Sequence, residues 1–211
     1  MVEWSVAAFR ACDSVRSIVV AVPPGHTHGL GGHDLDVVSG GATRAQSVAN
    51  ALEAVGTELV AIHDAARPLL APELVEGLVA RLGVDPSAAG VIAAAPVTDT
   101  IKVAKASQGT RSASTHDEMV DALFVAETLD RSRLWAAQTP QLFRAEALRA
   151  ALDVDAEARD AATDEAMLIE AAGGTVLIHP TTAENFKVTT PLDLRLAELL
   201  LAERAAGSGP E

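Results

Sequence analysis

Apolar residues fall in short blocks along this chain, and polar clusters separate the blocks. Ser17 to Val22, Leu59 to Ile62 and Gly90 to Pro96 are predominantly apolar runs bounded by turn residues. Such runs predict strands buried on both faces. A shorter run, Leu35 to Val38, predicts another strand. Between the runs the period changes. Val2, Val6 and Phe9 share a helical face, as do Val48, Leu52 and Val55. Pro72 to Leu82 predicts a helix, with proline suited to its first turn. Helix, strand, helix, strand predicts an α/β fold with a largely parallel sheet and helices on both faces.

The rhythm breaks at Ile101 to Leu134, a stretch rich in Ser, Thr, Asp and Lys. So long a structureless stretch is unusual inside a compact domain. It predicts an arm that projects from a single domain and meets another subunit. After Thr139-Pro140 a helix is expected to about Leu152, with Thr139 as its cap. Another helix follows Thr163, then a strand from Thr175 to Ile178. A leucine-rich helix is expected from Pro191 to about Arg204, followed by a disordered tail, 205–211.

Composition narrows the function classes. A formal net charge of −13 argues against general nucleic-acid binding and against a polybasic membrane surface. It leaves room for a nucleotide held by a few local cations. One cysteine, Cys12, cannot form an intrachain disulfide, so a reducing cytoplasm is expected and Cys12 reads as a small core residue. No apolar stretch reaches the length of a membrane span. The first residues lack the basic and apolar regions of a signal peptide.

The candidate chemistry gathers where apolar runs end. Ligands of open α/β sheets bind beyond the carboxyl ends of the strands. Asp64, in His63-Asp64-Ala65-Ala66-Arg67-Pro68, stands at such an end. A lone carboxylate there suits Mg²⁺ carrying phosphates; it equally suits a turn cap paired with Arg67. Gly40-Gly41 before a helix start lets backbone approach a ligand and offers amides to an anion. Thr100 could donate to a phosphate or be a turn residue. Arg131 could fork onto a phosphate or pair with Asp130. Lys187, in Phe186-Lys187-Val188, reads as a cation in an apolar strand end. It either points at an anion or snorkels at a sheet edge. Thr163-Asp164-Glu165 reads as a helix cap. His26, His28 and His33 have no carboxylate or thiol at ligand spacing, so they read as a solvated loop.

Taken in order, these pieces resemble one family. Gly40-Gly41-x-x-Arg44-x-x-Ser47-Val48, His63 to Pro68, Pro96-Val97-x-Asp99-Thr100-x-Lys102, Asp130-Arg131, Gln138-Thr139-Pro140-Gln141, Thr163 to Ala166 and Lys187-Val188-Thr189 carry the likeness. Together they resemble the 2-C-methyl-D-erythritol 4-phosphate cytidylyltransferases. The ribitol 5-phosphate cytidylyltransferases share several of the motifs. The resemblance implies a Rossmann-like nucleotidyltransferase fold, a homodimer joined by the arm, and CTP, a sugar-alcohol phosphate and Mg²⁺ as ligands. It implies catalytic roles for Asp64, Arg131 and Lys187, with Asp64 on the metal. Gly40, Gly41, Ser47, Asp64 and Ala65 would bind the nucleotide. Thr100, Arg131, Thr139, Thr163, Lys187 and Thr189 would bind the sugar phosphate.

The family's first strand and a glycine-rich loop carrying an arginine and then a lysine are expected to be missing from this sequence. At ordinary element lengths they amount to about 35 residues. Their absence would leave a gap in the sheet and an unpaired strand edge. A catalytically silent paralogue that pairs with an active enzyme is the alternative reading.

Overall fold

The computed structural model describes residues 1–26, 34–106 and 123–207. The expectations for His28 and His33 and for the end of the tail lie outside the described residues. The described chain divides into two compact units, Met1–Ala94 with Ala137–Glu211, and Ala95–Ala136.

In the first unit, α1 (Val2–Arg10) precedes β1 (Ile18–Val22), β2 (Leu35–Ser39), α2 (Arg44–Leu52), β3 (Leu59–Ile62), α3 (Pro72–Val84) and β4 (Gly90–Pro96). The apolar runs at 59–62 and 90–96 form the strands that the sequence predicts. Later come β7 (Trp135–Arg144), α4 (Ala145–Leu152), α5 (Ala156–Ala161), α6 (Glu165–Ala171), β8 (Val176–Pro180) and α7 (Pro191–Gly207). Strands β1 and β2 form a parallel pair by themselves. A second sheet has the order β3-β7-β4-β8. There β4 and β8 run parallel, while β3 and β7 run antiparallel. The class is α/β as expected, but this sheet is mixed.

Strand β7 is the main departure from the sequence reading, which places a helix after Pro140. Residues 138–143 are buried, so the segment needs a ladder on each side and not one helical stripe. Pro140 lacks an N–H, which normally bars proline from a central strand. It is accommodated because the register with β3 ends at Gln141, one residue away. Thr139 is therefore a strand residue, joined to Pro140 by a cis peptide bond, and caps no helix. Helix α7 also continues to Gly207, through the start of the expected tail.

Alternation along the sheet sends successive side chains to opposite faces. Val60 and Phe143 pack with Leu52, Leu148, Leu152 and Ile169. Leu142, their neighbour on the other face, packs with Leu78, Leu82 and Val91. Helices thus cover both faces, α2, α4 and α6 on one and α3 on the other. Gly90 has to be glycine, because a Cβ there would lie 2.3 Å from the Phe143 ring. Cys12 is buried against Leu70 and Val75, the core role its surroundings suggest.

A cavity of about 540 Å³ lies between β1 and β3, lined by Ile18 to Ala21 and by Leu59 to Ile62. Among the described residues, no helix is long and apolar enough to cross a membrane.

The second unit holds an antiparallel pair, β5 (Lys102–Ala106) and β6 (Leu123–Thr128), with a register irregularity between Val103 and Ala104. A short 3₁₀ turn, Arg131–Arg133, follows, and the Asp130 carboxylate accepts from Ser132 N at its start. Every described residue of β5 and β6 is exposed.

Candidate active site

Strand β3 ends at Ile62 and the chain turns at once, Arg67 N donating to the Asp64 carbonyl at 2.9 Å. The turn leaves Ala65 exposed and Asp64 at the carboxyl end of the strand. The Asp64 side chain is 18% exposed and lies between two cations. Lys187 Nζ is 2.9 Å from one carboxylate oxygen and Arg44 Nε is 3.3 Å from the other. Burial would push the Asp64 carboxyl up. The hydrogen bond from Lys187 and the charges of Arg44 and Lys187 outweigh that and hold it below the usual carboxylate range. Asp64 is thus an anion at neutral pH. Arg67 does not pair with it through its side chain: Arg67 Nη1 donates to the Asn185 carbonyl at 2.6 Å.

Arg44 is the first residue of α2 and has a second anchor. Its Nη1 donates to Glu165 Oε1 at 2.7 Å, and Glu165 is 1% exposed. Burial raises the Glu165 carboxyl above its usual range, against the opposing pull of Arg44. Lys187, Asp64, Arg44 and Glu165 form one chain of alternating charge. A buried carboxylate that loses such a partner is strongly unfavourable, so Glu165 holds Arg44 at Asp64.

Lys187 reaches the site on irregular backbone between β8 and α7, not at a strand end. Two ties place that segment. Val188 N donates to the Ala66 carbonyl at 2.8 Å. Asn185 Nδ2 donates to the Thr139 carbonyl at 2.8 Å and to Gln138 Oε1 at 3.1 Å. Buried amides of this kind are stable only when hydrogen-bonded, which fixes the loop to β7.

The Gly40-Gly41 turn closes on Ser47. Gly41 N donates to Ser47 Oγ at 3.0 Å, and that hydroxyl donates to the Thr43 carbonyl at 2.9 Å. A Cβ on Gly41 would lie 2.3 Å from the Gln46 side chain, so only glycine fits. Thr43 Oγ1 accepts from Gln46 N at 3.1 Å and caps α2. The helix start, with its orphan amides, therefore sits beside the Arg44–Asp64 pair.

A turn of glycine and serine thus lies beside a chain of paired charges, Lys187, Asp64, Arg44 and Glu165, at the strand ends. The 2-C-methyl-D-erythritol 4-phosphate cytidylyltransferase (IspD) family model matches residues 1–203. The chain belongs to this family. It is 41% identical to the 2-C-methyl-D-erythritol 4-phosphate cytidylyltransferase of Bordetella petrii, over 94% of this chain and 84% of that protein. It is also 41% identical to a bifunctional enzyme IspD/IspF of Anaeromyxobacter dehalogenans, over 97% of this chain. It spans about half the length of that relative, 51%, and of a second bifunctional one, 50%. The crystal structure of the Thermus thermophilus cytidylyltransferase superposes with a TM-score of 0.75 at 32% identity, covering 95% of this chain and 88% of that one.

Within the cytidylyltransferase fold the expected residues separate into groups. Gly40, Gly41, Ser47, Asp64, Ala65 and Lys187 all lie in the first unit, at or near the strand ends. Thr139 does too, but it is 4% exposed. Its hydroxyl accepts from Asp64 N at 3.0 Å and lies 3.1 Å from His63 Nδ1. Thr163 is exposed just before α6, whose cap is Asp164, accepting from Met167 N at 3.0 Å. Thr189 is exposed, and its N–H and hydroxyl both donate to Asp193. With Thr190 Oγ1 accepting from Asp193 N at 3.2 Å, that makes a capping box at the start of α7. Thr100 and Arg131 belong to the second unit. Thr100 is exposed before β5, and Arg131 Nη1 donates to the Thr98 carbonyl at 2.7 Å, not to Asp130.

Sequence reasoning gave no role in the site to Arg44, Glu165, His63 or Asn185. Arg44 stood within a motif, and its offset from Gly41 at a helix start was the available signal. Glu165 reads locally as part of a helix cap, and nothing local shows what it or Asn185 meets, because their partners are remote in sequence.

Proposed function

We propose that this chain transfers the cytidylyl group of CTP to the phosphate of 2-C-methyl-D-erythritol 4-phosphate, releasing pyrophosphate. The observation that carries the reading is Asp64, ionised between Arg44 and Lys187 at the carboxyl end of β3, in a chain of this family.

A phosphate oxygen of the acceptor attacks the α-phosphorus of CTP, forming one P–O bond as the bond to pyrophosphate breaks. No covalent enzyme intermediate is required. The residues then act by alignment and by neutralising charge at the α-phosphate. Lys187 and Arg44 would turn from Asp64 toward phosphate oxygens, each trading one anionic partner for another. Gly41 and Ser47 would present the rigid turn before α2 to the cytosine ring. Asp64 would suit Mg²⁺ once its cations turn to the phosphates, since a single hard carboxylate can share this ion with substrate phosphates and needs no closed protein cage. Among the described residues, no cluster of three His, Cys, Asp or Glu forms such a cage. The ion would add positive charge at the phosphates and fix their geometry.

Thr100 and Arg131 would serve the sugar phosphate from a second copy, in a homodimer joined through the β5–β6 pair. Exposed Leu123, Phe124 and Val125 on β6 support such an interface.

Pyrophosphate release by the purified chain, with CTP, Mg²⁺ and each sugar phosphate, tests the reading. Turnover is expected with 2-C-methyl-D-erythritol 4-phosphate and a loss of roughly a hundredfold or more in Asp64→Asn and Lys187→Ala. Stronger turnover with ribitol 5-phosphate, or none with either acceptor, overturns it.

A further inference from the structure

We infer that His63 and Thr139 form a hydrogen-bond relay of fixed polarity that sets the backbone of Asp64, making Thr139 a positioning residue behind the site and not a contact to the sugar phosphate. The kinetic consequence rests on the transfer reaction proposed above; the relay itself does not.

Chemistry at the two ends fixes the direction. His63 Nε2 lies 3.1 Å from the Arg67 carbonyl oxygen. A carbonyl only accepts, so Nε2 carries the proton. In a neutral imidazole Nδ1 is then an acceptor. The Thr139 hydroxyl, 3.1 Å from Nδ1, donates to it. Its oxygen accepts the Asp64 N–H, 3.0 Å away, and an amide N–H only donates. The order is Asp64 N–H to Thr139 Oγ1, Thr139 O–H to His63 Nδ1, and His63 Nε2–H to the Arg67 carbonyl. Reversing any one bond leaves two donors or two acceptors face to face.

Three further contacts keep the relay in place. Arg67 N returns to the Asp64 carbonyl, so the relay spans both ends of the turn that bears the carboxylate. The Phe9 ring meets the His63 ring edge-on, with centroids 5.5 Å apart and planes at 78°, which holds the imidazole plane. Asn185 Nδ2 holds the Thr139 carbonyl at 2.8 Å. Thr139 is thus buried with its hydroxyl committed as donor and acceptor. A hydroxyl so placed has little left to offer a substrate, whereas any shift in it moves the Asp64 peptide.

Two measurements on the full chain test the relay. Imidazole ¹⁵N shifts, with His63→Gln to identify the signal, should show a proton on Nε2 and a bare Nδ1 for His63. Hydrogen exchange of the Asp64 amide should quicken about tenfold or more in Thr139→Val and stay at the wild-type rate in Thr139→Ser. A proton on Nδ1, or an unchanged Asp64 amide in Thr139→Val, overturns the inference. The ¹⁵N measurement does not depend on Thr139→Val and decides the matter if that variant fails to fold. In turnover, Thr139→Val should lower kcat about tenfold or more, with KM for the sugar phosphate unchanged, and Thr139→Ser should restore kcat. A raised KM at unchanged kcat would make Thr139 a substrate contact and overturn the inference. If wild type shows no turnover, the proposed function fails while the shifts and exchange rates still decide the relay.

Discussion

The two flanks of strand β3 are packed differently. On the β7 flank, Val60 faces Phe143 and Ala61 faces Leu142 in register, and the side chains run on into two cores. On the β1 flank lies the apolar cavity of about 540 Å³, and the two strand edges that border it are not paired with each other. One strand therefore has a flank paired with a neighbouring strand and a flank that borders a cavity. Dispersion and apolar burial both depend on those neighbours. The same residue type should be worth more on the filled flank than on the hollow one. At the carboxyl end of the strand, where Asp64 stands, order comes instead from hydrogen bonds and charge.

The largest effect is expected at Phe143, which is fully buried. Phe143→Ala should cost about 3–5 kcal/mol, read from the shift in urea midpoint at unchanged slope. A cost near 1 kcal/mol would break the comparison from its filled side. Acid comes next. Burial pushes His63 down to about 4 from its ordinary 6.5. The unfolded chain then binds the proton more readily, so this contribution is fully present above pH 6.5 and is lost as pH falls from 6.5 through 4. The loss is about 3 kcal/mol. Urea unfolding at stepped pH should show it in wild type and not in His63→Gln; parallel curves would remove His63 from the account. Thr43→Ala, which strips the cap of α2, should cost about 1 kcal/mol by the same measurement. The smallest effect is expected on the hollow flank: Val20→Ala should cost less than about 1 kcal/mol, since part of the side chain already lacks neighbours. A cost equal to that of Phe143→Ala would erase the difference between the flanks.

Much of the fold was legible because its strands are short apolar runs with sharp ends. β3 and β4 carry their own boundaries, and the helices at 2–10, 44–52 and 72–84 carry a clean period. β7 was not legible. Gln138-Thr139-Pro140-Gln141 has the residues of a helix start, and only strands β3 and β4 on either side make it a strand. Of the candidate site, Asp64 was visible as an acid at a strand end, and Gly41 and Ser47 as a turn before a helix. The partners that give Asp64 its charge state were less visible. Lys187 reads as an apolar-strand lysine because Phe186 and Val188 flank it, yet its loop is set by Asn185 and by the Ala66 carbonyl.

The sequence by itself determined the α/β class, the strand end bearing Asp64 and the glycine turn before α2. These follow from local period, residue size and backbone freedom. Tertiary structure alone decided that β7 enters the sheet, that Arg44 and Lys187 converge on one carboxylate, and that Thr139 turns inward to His63. Those outcomes depend on which remote donor meets which buried acceptor, and the need to satisfy polar groups under burial has no counterpart in any local pattern of residues.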